Sequence, residues 1–100
     1  MFVAIRRYET NPASVKELIQ KINTEFLPLI SKSSGFIAYL VVDAGKGAIA
    51  SISMFETEAG AQESTTKAAN WVKSVSNLLP NPPQVTAGNM VVQHWVERKQ

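Results

Sequence analysis

From Phe2 to Glu9 aromatic and β-branched residues dominate, and the stretch reads as a first strand. Asn11-Pro12 follows, a good N-cap residue ahead of the residue favoured at the first helical position. Apolar side chains then fall at Val15, Leu18, Ile19, Ile22, Phe26, Leu29 and Ile30, the spacing of one helical stripe. Pro28 lies inside that stripe and predicts a kink or the end of its regular part. Ser31 to Gly35 are turn residues, and Phe36 to Val42 reads as a second strand. Asp43-Ala44-Gly45-Lys46-Gly47 predicts a hairpin turn into a third strand, Ala48 to Phe55. Thr57 caps a second helix with the stripe Ala61, Ser64, Ala68, Trp71, Val72, Val75, Leu78 and Leu79. The prolines of Leu79-Pro80-Asn81-Pro82-Pro83 stop it. Gln84 to Trp95 predicts a fourth strand, bent near Gly88-Asn89. Two i, i+4 charge pairs, Glu17 with Lys21 and Glu63 with Lys67, are expected on the exposed helix faces.

The order β-α-β-β-α-β is the split βαβ, ferredoxin-like arrangement of the α+β class. It implies a four-stranded antiparallel sheet with both helices on one face, in a single domain over residues 1–100.

Two helices cover one face of such a sheet, and the other should turn polar where it meets water. Here both faces are largely apolar. Ala48, Ala50, Ile52 and Met54 oppose Ile49, Ser51, Ser53 and Phe55, and Val3 and Ile5 oppose Phe2, Ala4, Arg6 and Tyr8. We expect Val3 and Ile5 to face the helices. Arg6, Tyr8, Ser51 and Ser53 would then line a pocket on the far face, covered by a second copy of the chain. A homodimer is the expected state, because an open apolar sheet exceeds the patch size usual for monomers.

Composition narrows the chemistry. The 100 residues are 45% hydrophobic and 18% charged, a globular balance. That length is too short for a full TIM barrel or a complete dinucleotide-binding domain. The absence of cysteine excludes disulfides, thiol nucleophiles and iron–sulfur clusters, and one histidine excludes a two-histidine metal site within one chain. No metal, haem or flavin cofactor is expected. The net charge of +2 owes part of its value to the C-terminal Glu97-Arg98-Lys99, and no basic patch suited to nucleic acid stands out. The third strand also lacks the aromatic and basic signature of an RNA-recognition domain. The longest apolar run, Phe36 to Val42, is far short of a membrane span, and the N-terminus reads as a strand rather than a leader; a cytoplasmic location is the expectation.

Gly45-Lys46-Gly47 lacks the spacing of a phosphate loop, and a hairpin explains it. No Gly-x-Ser-x-Gly elbow is present, and His94 is the sole histidine available as a base. Trp71 lies on the apolar stripe and reads first as core packing. Its neighbour Asn70 must point elsewhere, toward the surface. Arg6 sits mid-strand among apolar residues, where a buried cation needs a partner. That partner is either a carboxylate such as Glu56 or an anionic, oxygen-rich ligand. Tyr8 and Tyr39 serve either as ligand hydrogen-bond groups or as filling for the sheet interface.

Three features over nearly the whole chain resemble the antibiotic-biosynthesis-monooxygenase-like domains of the dimeric α+β barrel superfamily. Ser34-Gly35-Phe36 leads from the first helix into the second strand, Phe55-Glu56-Thr57-Glu58-Ala59 leads from the third strand into the second helix, and the fourth strand is long. The stretch from Ala69-Asn70-Trp71 through Pro82-Pro83 to Gly88 is similar to a branch of such proteins without assigned activity. The resemblance implies a dimer in which the fourth strand reaches across to the partner. It includes haem-degrading enzymes, which use an asparagine on the first strand and a tryptophan and a histidine on the second helix. This chain has Arg6 at the first-strand position and Trp71 without the histidine, against that activity. It also includes cofactor-independent, quinone-forming monooxygenases that use Asn, Trp, Tyr and Arg. Arg6, Tyr8, Tyr39, Asn70 and Trp71 supply those types. The resemblance thus implies an oxygenase acting on a small aromatic or polyketide-like substrate, with Arg6, Tyr8, Tyr39, Ser53, Trp71 and His94 as candidate binding residues. The scarcity of titratable groups favours the alternative, a non-catalytic dimer that binds a small apolar ligand or plays a structural part.

Overall fold

The computed structural model describes residues 1–97. The basic residues Arg98 and Lys99 of the C-terminal charge run lie outside them. Four strands, β1 (Phe2–Glu9), β2 (Phe36–Gly45), β3 (Ala48–Phe55) and β4 (Gln84–Asn89), form an antiparallel sheet in the order β2-β3-β1-β4. The first helical stretch comprises α1 (Val15–Lys21), a π-helical turn (Ile22–Phe26) and α2 (Leu27–Ile30). The second helix is α3 (Glu58–Ser74). Both helical stretches lie on one face of the sheet, which is the ferredoxin-like arrangement expected from the pattern.

Local chemistry explains the boundaries. The side chain of Asn11 accepts from the Ala13 amide at 2.9 Å ahead of Pro12, and Thr57 accepts from the Gly60 amide at 3.2 Å. Pro28 has no amide to donate and its ring crowds the carbonyl four residues back. The helix accommodates it by widening to a π-turn just before the proline, and so continues rather than ending. The charge pairs differ in part from expectation. Lys67 meets Glu63 at 3.3 Å, but Lys21 meets Glu25 at 3.6 Å instead of Glu17, on the following turn of the same stretch.

Two apolar clusters fill the layer between helices and sheet. Leu18, Ile22, Ile49, Val75, Leu78 and Leu79 form one, and Phe26, Ile30, Phe55, Ala61 and Ala68 the other. Tyr39 and Trp71 pack against both. The small side of α3 (Gly60, Ala61, Ser64 and Ala68) is buried, which lets the helix lie close to the sheet.

The register reverses one expectation. Ala4, Arg6 and Tyr8 stand opposite Ser53, Ser51 and Ile49 on the helix side of the sheet, and Val3 and Ile5 lie on the outer face. The alternation identified which residues share a face but assigned the wrong face to the helices. The set with Arg6 is inside because Ser51, Ser53 and Ala4 leave room for close helix packing. The set of Val3 and Ile5 is outside together with the exposed Arg7, and there Leu40 and Val42 remain 47% and 48% exposed.

The fourth strand is also shorter than expected, ending at Asn89 rather than Trp95. Asn89 pairs with Phe2, the first residue of β1, and the Met90 amide makes one more bond, 2.9 Å to the Met1 carbonyl. Beyond that point the chain offers no strand to pair with. Val91, Val92, Trp95 and Val96 keep an apolar pattern while standing exposed.

Gly60 fixes the junction between α3 and the turn before β2. A Cβ there would run into the Ser34 carbonyl oxygen, which is backbone and cannot swing away. In an open helix Gly→Ala stabilises by up to about 1 kcal/mol. Gly60→Ala is expected to do the opposite, costing roughly 1–3 kcal/mol by overpacking, with Gln62→Ala on the exposed face near neutral. Denaturant midpoints followed by circular dichroism measure both.

Candidate functional site

Arg6 is among the most buried side chains of the protein, at 2% exposure. A guanidinium stays charged inside a protein, so its burial must be compensated. Its partners are neutral. Nη1 donates to Ser53 Oγ at 3.3 Å, and Nη2 donates to Thr65 Oγ1 on α3 at 2.9 Å. The expected pairing with Glu56 is absent. Glu56 is exposed at the end of β3, and the ion pairs among the described residues are those of Lys21 and Lys67. A cation thus stands at the centre of the helix–sheet layer with hydroxyls for company.

It also borders a cleft of about 360 Å³ between α3 and the β1–β4 edge of the sheet. Ala68, Ala69 and Val72 of α3 form one wall, and Pro82, Pro83 and Val85 the other. Arg6, Tyr8 and Thr65 are the polar groups lining it. The wall side chains are small and apolar, the polar end holds one full positive charge, and such a site suits a flat apolar ligand with an oxyanion at one end.

Burial keeps both tyrosines protonated, Tyr8 at the cleft and Tyr39 beyond it on β2. Burial raises the Tyr8 hydroxyl above the ordinary tyrosine value, and the positive field of Arg6 offsets part of that rise. Tyr39, half-buried on β2, is pushed up to about 12, chiefly by desolvation, with a hydrogen bond from Ser51 and the Arg6 charge acting in the other direction. Its ring meets Phe26 edge-on at 5.6 Å.

The remaining candidates separate. Ser53 joins the site, fully buried beneath the guanidinium. Trp71 packs on Phe26 at 5.3 Å and donates Nε1 to Glu25 at 3.1 Å, tying the two helical stretches together. Asn70 is exposed, as its helical position implied. His94 lies past the end of β4 on the exposed tail, away from the cleft residues in this chain. Thr65 was not anticipated. It stands between Ala61 and Ser64 on one side and Ala68 on the other, at the rim of the buried stripe, and only the placement of Arg6 on the helix side gives its hydroxyl a partner.

Two other depressions are present. One of about 620 Å³ lies at the hairpin end of the sheet near Arg7, Glu9 and Gln84, and one of about 530 Å³ lies between the first helical stretch and Tyr39 and Val41 of β2. Neither has a buried charge at its floor. Among the described residues no group of three His, Cys, Asp or Glu side chains is placed to hold a metal ion, and no helix is long and apolar enough to cross a membrane.

Known structures share this architecture. A protein of unknown function from Nitrosomonas europaea superposes with a TM-score of 0.79 at 22% identity, covering 96% of this chain and 94% of that one. The ActVA-Orf6 monooxygenase of Streptomyces coelicolor, solved in complex with nanaomycin D, gives 0.77 at 18% identity, with 96% and 92% coverage. A Bordetella bronchiseptica protein named for the antibiotic biosynthesis monooxygenases gives 0.72 at 16% identity, with 91% and 97% coverage. No protein-family model matches the sequence, and no curated protein does. The fold is therefore that of the antibiotic-biosynthesis-monooxygenase-like proteins, in agreement with the resemblance seen in the sequence. A shared fold at such identities carries no activity with it.

The burial of both phenols has a direct consequence. A folded-state value above the unfolded one means the native state holds its proton longer, so the stabilising contribution is complete below about pH 10 and is lost as pH rises through the folded value, about 12 for Tyr39. The chain has two tyrosines. Phenolate absorbance is expected to show both titrating later than free tyrosine in the native protein. Tyr39→Phe should remove the later component and flatten the loss of stability between pH 10 and 12.

Proposed function

We propose that the protein binds a small aromatic or polyketide-like molecule in the α3–β4 cleft and acts on it as a cofactor-independent monooxygenase does. The observation that carries this reading is the Arg6 guanidinium, buried on neutral hydroxyl partners at the polar end of an apolar cleft. A phenol or hydroxyquinone bound there would present its oxygen to Arg6. The positive charge favours the ionised ligand, and an electron-rich phenolate is the form of such a ring that reacts with dioxygen. Tyr8, held protonated, is placed to donate a second hydrogen bond. The complex of the Streptomyces monooxygenase with nanaomycin D agrees with a ligand of this kind on this fold.

A second reading, a binding protein without catalysis, is favoured by the absence of a base among the cleft's side chains. Both tyrosines hold their protons and His94 stands outside. In that case the ligand's own acidity, raised by the Arg6 charge, is all the proton chemistry available.

The assembly we infer is a homodimer. Val3, Ile5, Ala50, Ile52, Leu40 and Val42 form an apolar patch on the outer sheet face, beside Arg7, with no cover among the described residues, and the tail beyond Asn89 adds exposed Val91, Val92, Trp95 and Val96. A second copy covers both, through sheet packing and strand pairing to the tail.

Light scattering is expected to give twice the chain mass of 11.0 kDa at micromolar concentration, and Ile52→Asp should shift the protein to monomer or to aggregate. A folded wild-type monomer at that concentration would refute the dimer.

The ligand reading is tested by a thermal-shift and oxygen-electrode screen of dihydroxynaphthalenes and hydroxyquinones. Stabilisation of roughly 2–4 kcal/mol at saturating ligand is expected, abolished by Arg6→Met, which keeps the apolar stem. Oxygen uptake together with stabilisation supports the enzyme, and stabilisation alone supports the binding protein. Equal stabilisation of wild type and Arg6→Met removes Arg6 from the site.

A further inference from the structure

We infer that Thr65 is a positioning residue, which holds the Arg6 guanidinium with its free N–H edge toward the cleft and so sets the preference for an oxyanion. This rests on the reading of the cleft as an aromatic-ligand site. A guanidinium on a three-carbon stem can rotate, and a charge that rotates loses directional hydrogen bonding. Two contacts stop it. Ser53 meets Nη1 from the sheet, and Thr65 meets Nη2 from the helix across the layer. The Thr65 bond is the shorter, 2.9 Å against 3.3 Å.

The Thr65 hydroxyl is itself oriented. It donates to the Ala61 carbonyl at 3.0 Å, which leaves its lone pairs for the Arg6 N–H. Back-bonding to a carbonyl one turn earlier is common for threonine in helices and is not a function by itself. Thr66 and Thr24 do the same toward Gln62 and Gln20, and both are exposed. Thr65 differs in taking a hydrogen bond from a buried cation and in lining the cleft. Thr65 is itself exposed, and its bond both offsets part of the cost of burying the Arg6 charge and fixes the direction in which the guanidinium points.

The experiment compares binding of dinitrophenolate and of dinitrobenzene, the same ring without the oxygen, by titration calorimetry at neutral pH. Wild type should prefer the phenolate, and Arg6→Met should lose that preference. Thr65→Val, which replaces the hydroxyl by a methyl of similar shape, should weaken phenolate binding about ten-fold and leave dinitrobenzene unchanged. Thr65→Ala removes the same oxygen and should act alike. Thr65→Ser restores the oxygen and should return phenolate binding to near the wild-type value. Unchanged phenolate binding in Thr65→Val and Thr65→Ala, or an equal loss for both rings, overturns the positioning role while the ligand site stands. A wild type that binds neither ring, or both alike, overturns the ligand site and the inference with it.

Discussion

The buried positive charge of Arg6 is the constraint around which the interior is arranged. A guanidinium removed from water needs partners that accept hydrogen bonds, and purely aliphatic neighbours would leave its desolvation uncompensated. Several positions around it are accordingly small or hydroxylic, Ser51 and Ser53 on β3, Ala4 on β1 and Thr65 on α3, with Val85 of β4 on the remaining side. The same polar strip lies where the apolar interior divides into two clusters. Tyr39 and Trp71 belong to both because each has an apolar body that packs and a polar end that finds a partner, Ser51 for one and Glu25 for the other.

That arrangement leaves an asymmetric sheet. The helix side is chemically mixed, with Ile49 and Phe55 flanking Ser51 and Ser53, while the outer side is mainly aliphatic, with Arg7, Gln84 and Thr86 beside Ile5, Ala50 and Ile52. The mixed side demands specific partners, which α3 provides through its line of Gly60, Ala61, Ser64 and Ala68. The cleft opens beside this line, where α3 diverges from the β4 edge and the Pro82–Pro83 segment closes the gap. Its position follows from the close approach at the start of α3, which the missing side chain of Gly60 permits.

Chemically, the cleft is suited to holding a charge and ill suited to moving a proton. Tyr8, the titratable phenol lining it, keeps its proton because burial penalises the phenolate. A reaction there has to draw its reactivity from the ligand, with the protein shifting the ligand's ionisation. This constraint separates the cleft from hydrolytic or transfer sites built on a base and a nucleophile.

The sequence alone determined the elements and which residues share a strand face, because periods of two and of 3.6 are written in the order of apolar and polar residues. Arg6, Tyr8, Ser51 and Ser53 were legible as one set, as were the capping residues Asn11 and Thr57 and the buried stripe of α3. Which face the set occupied was not legible. Alternation is symmetric under exchange of faces, and with both faces apolar only the packing of small residues under α3 breaks the symmetry. The length of β4 was not legible either, since alternation continues past Asn89 while the pairing strand β1 has run out. Thr65 entered the site for the same reason. Nothing in its neighbourhood along the chain distinguishes it from Thr66, and only the approach of β1 to α3 in three dimensions gives its hydroxyl a cation to hold.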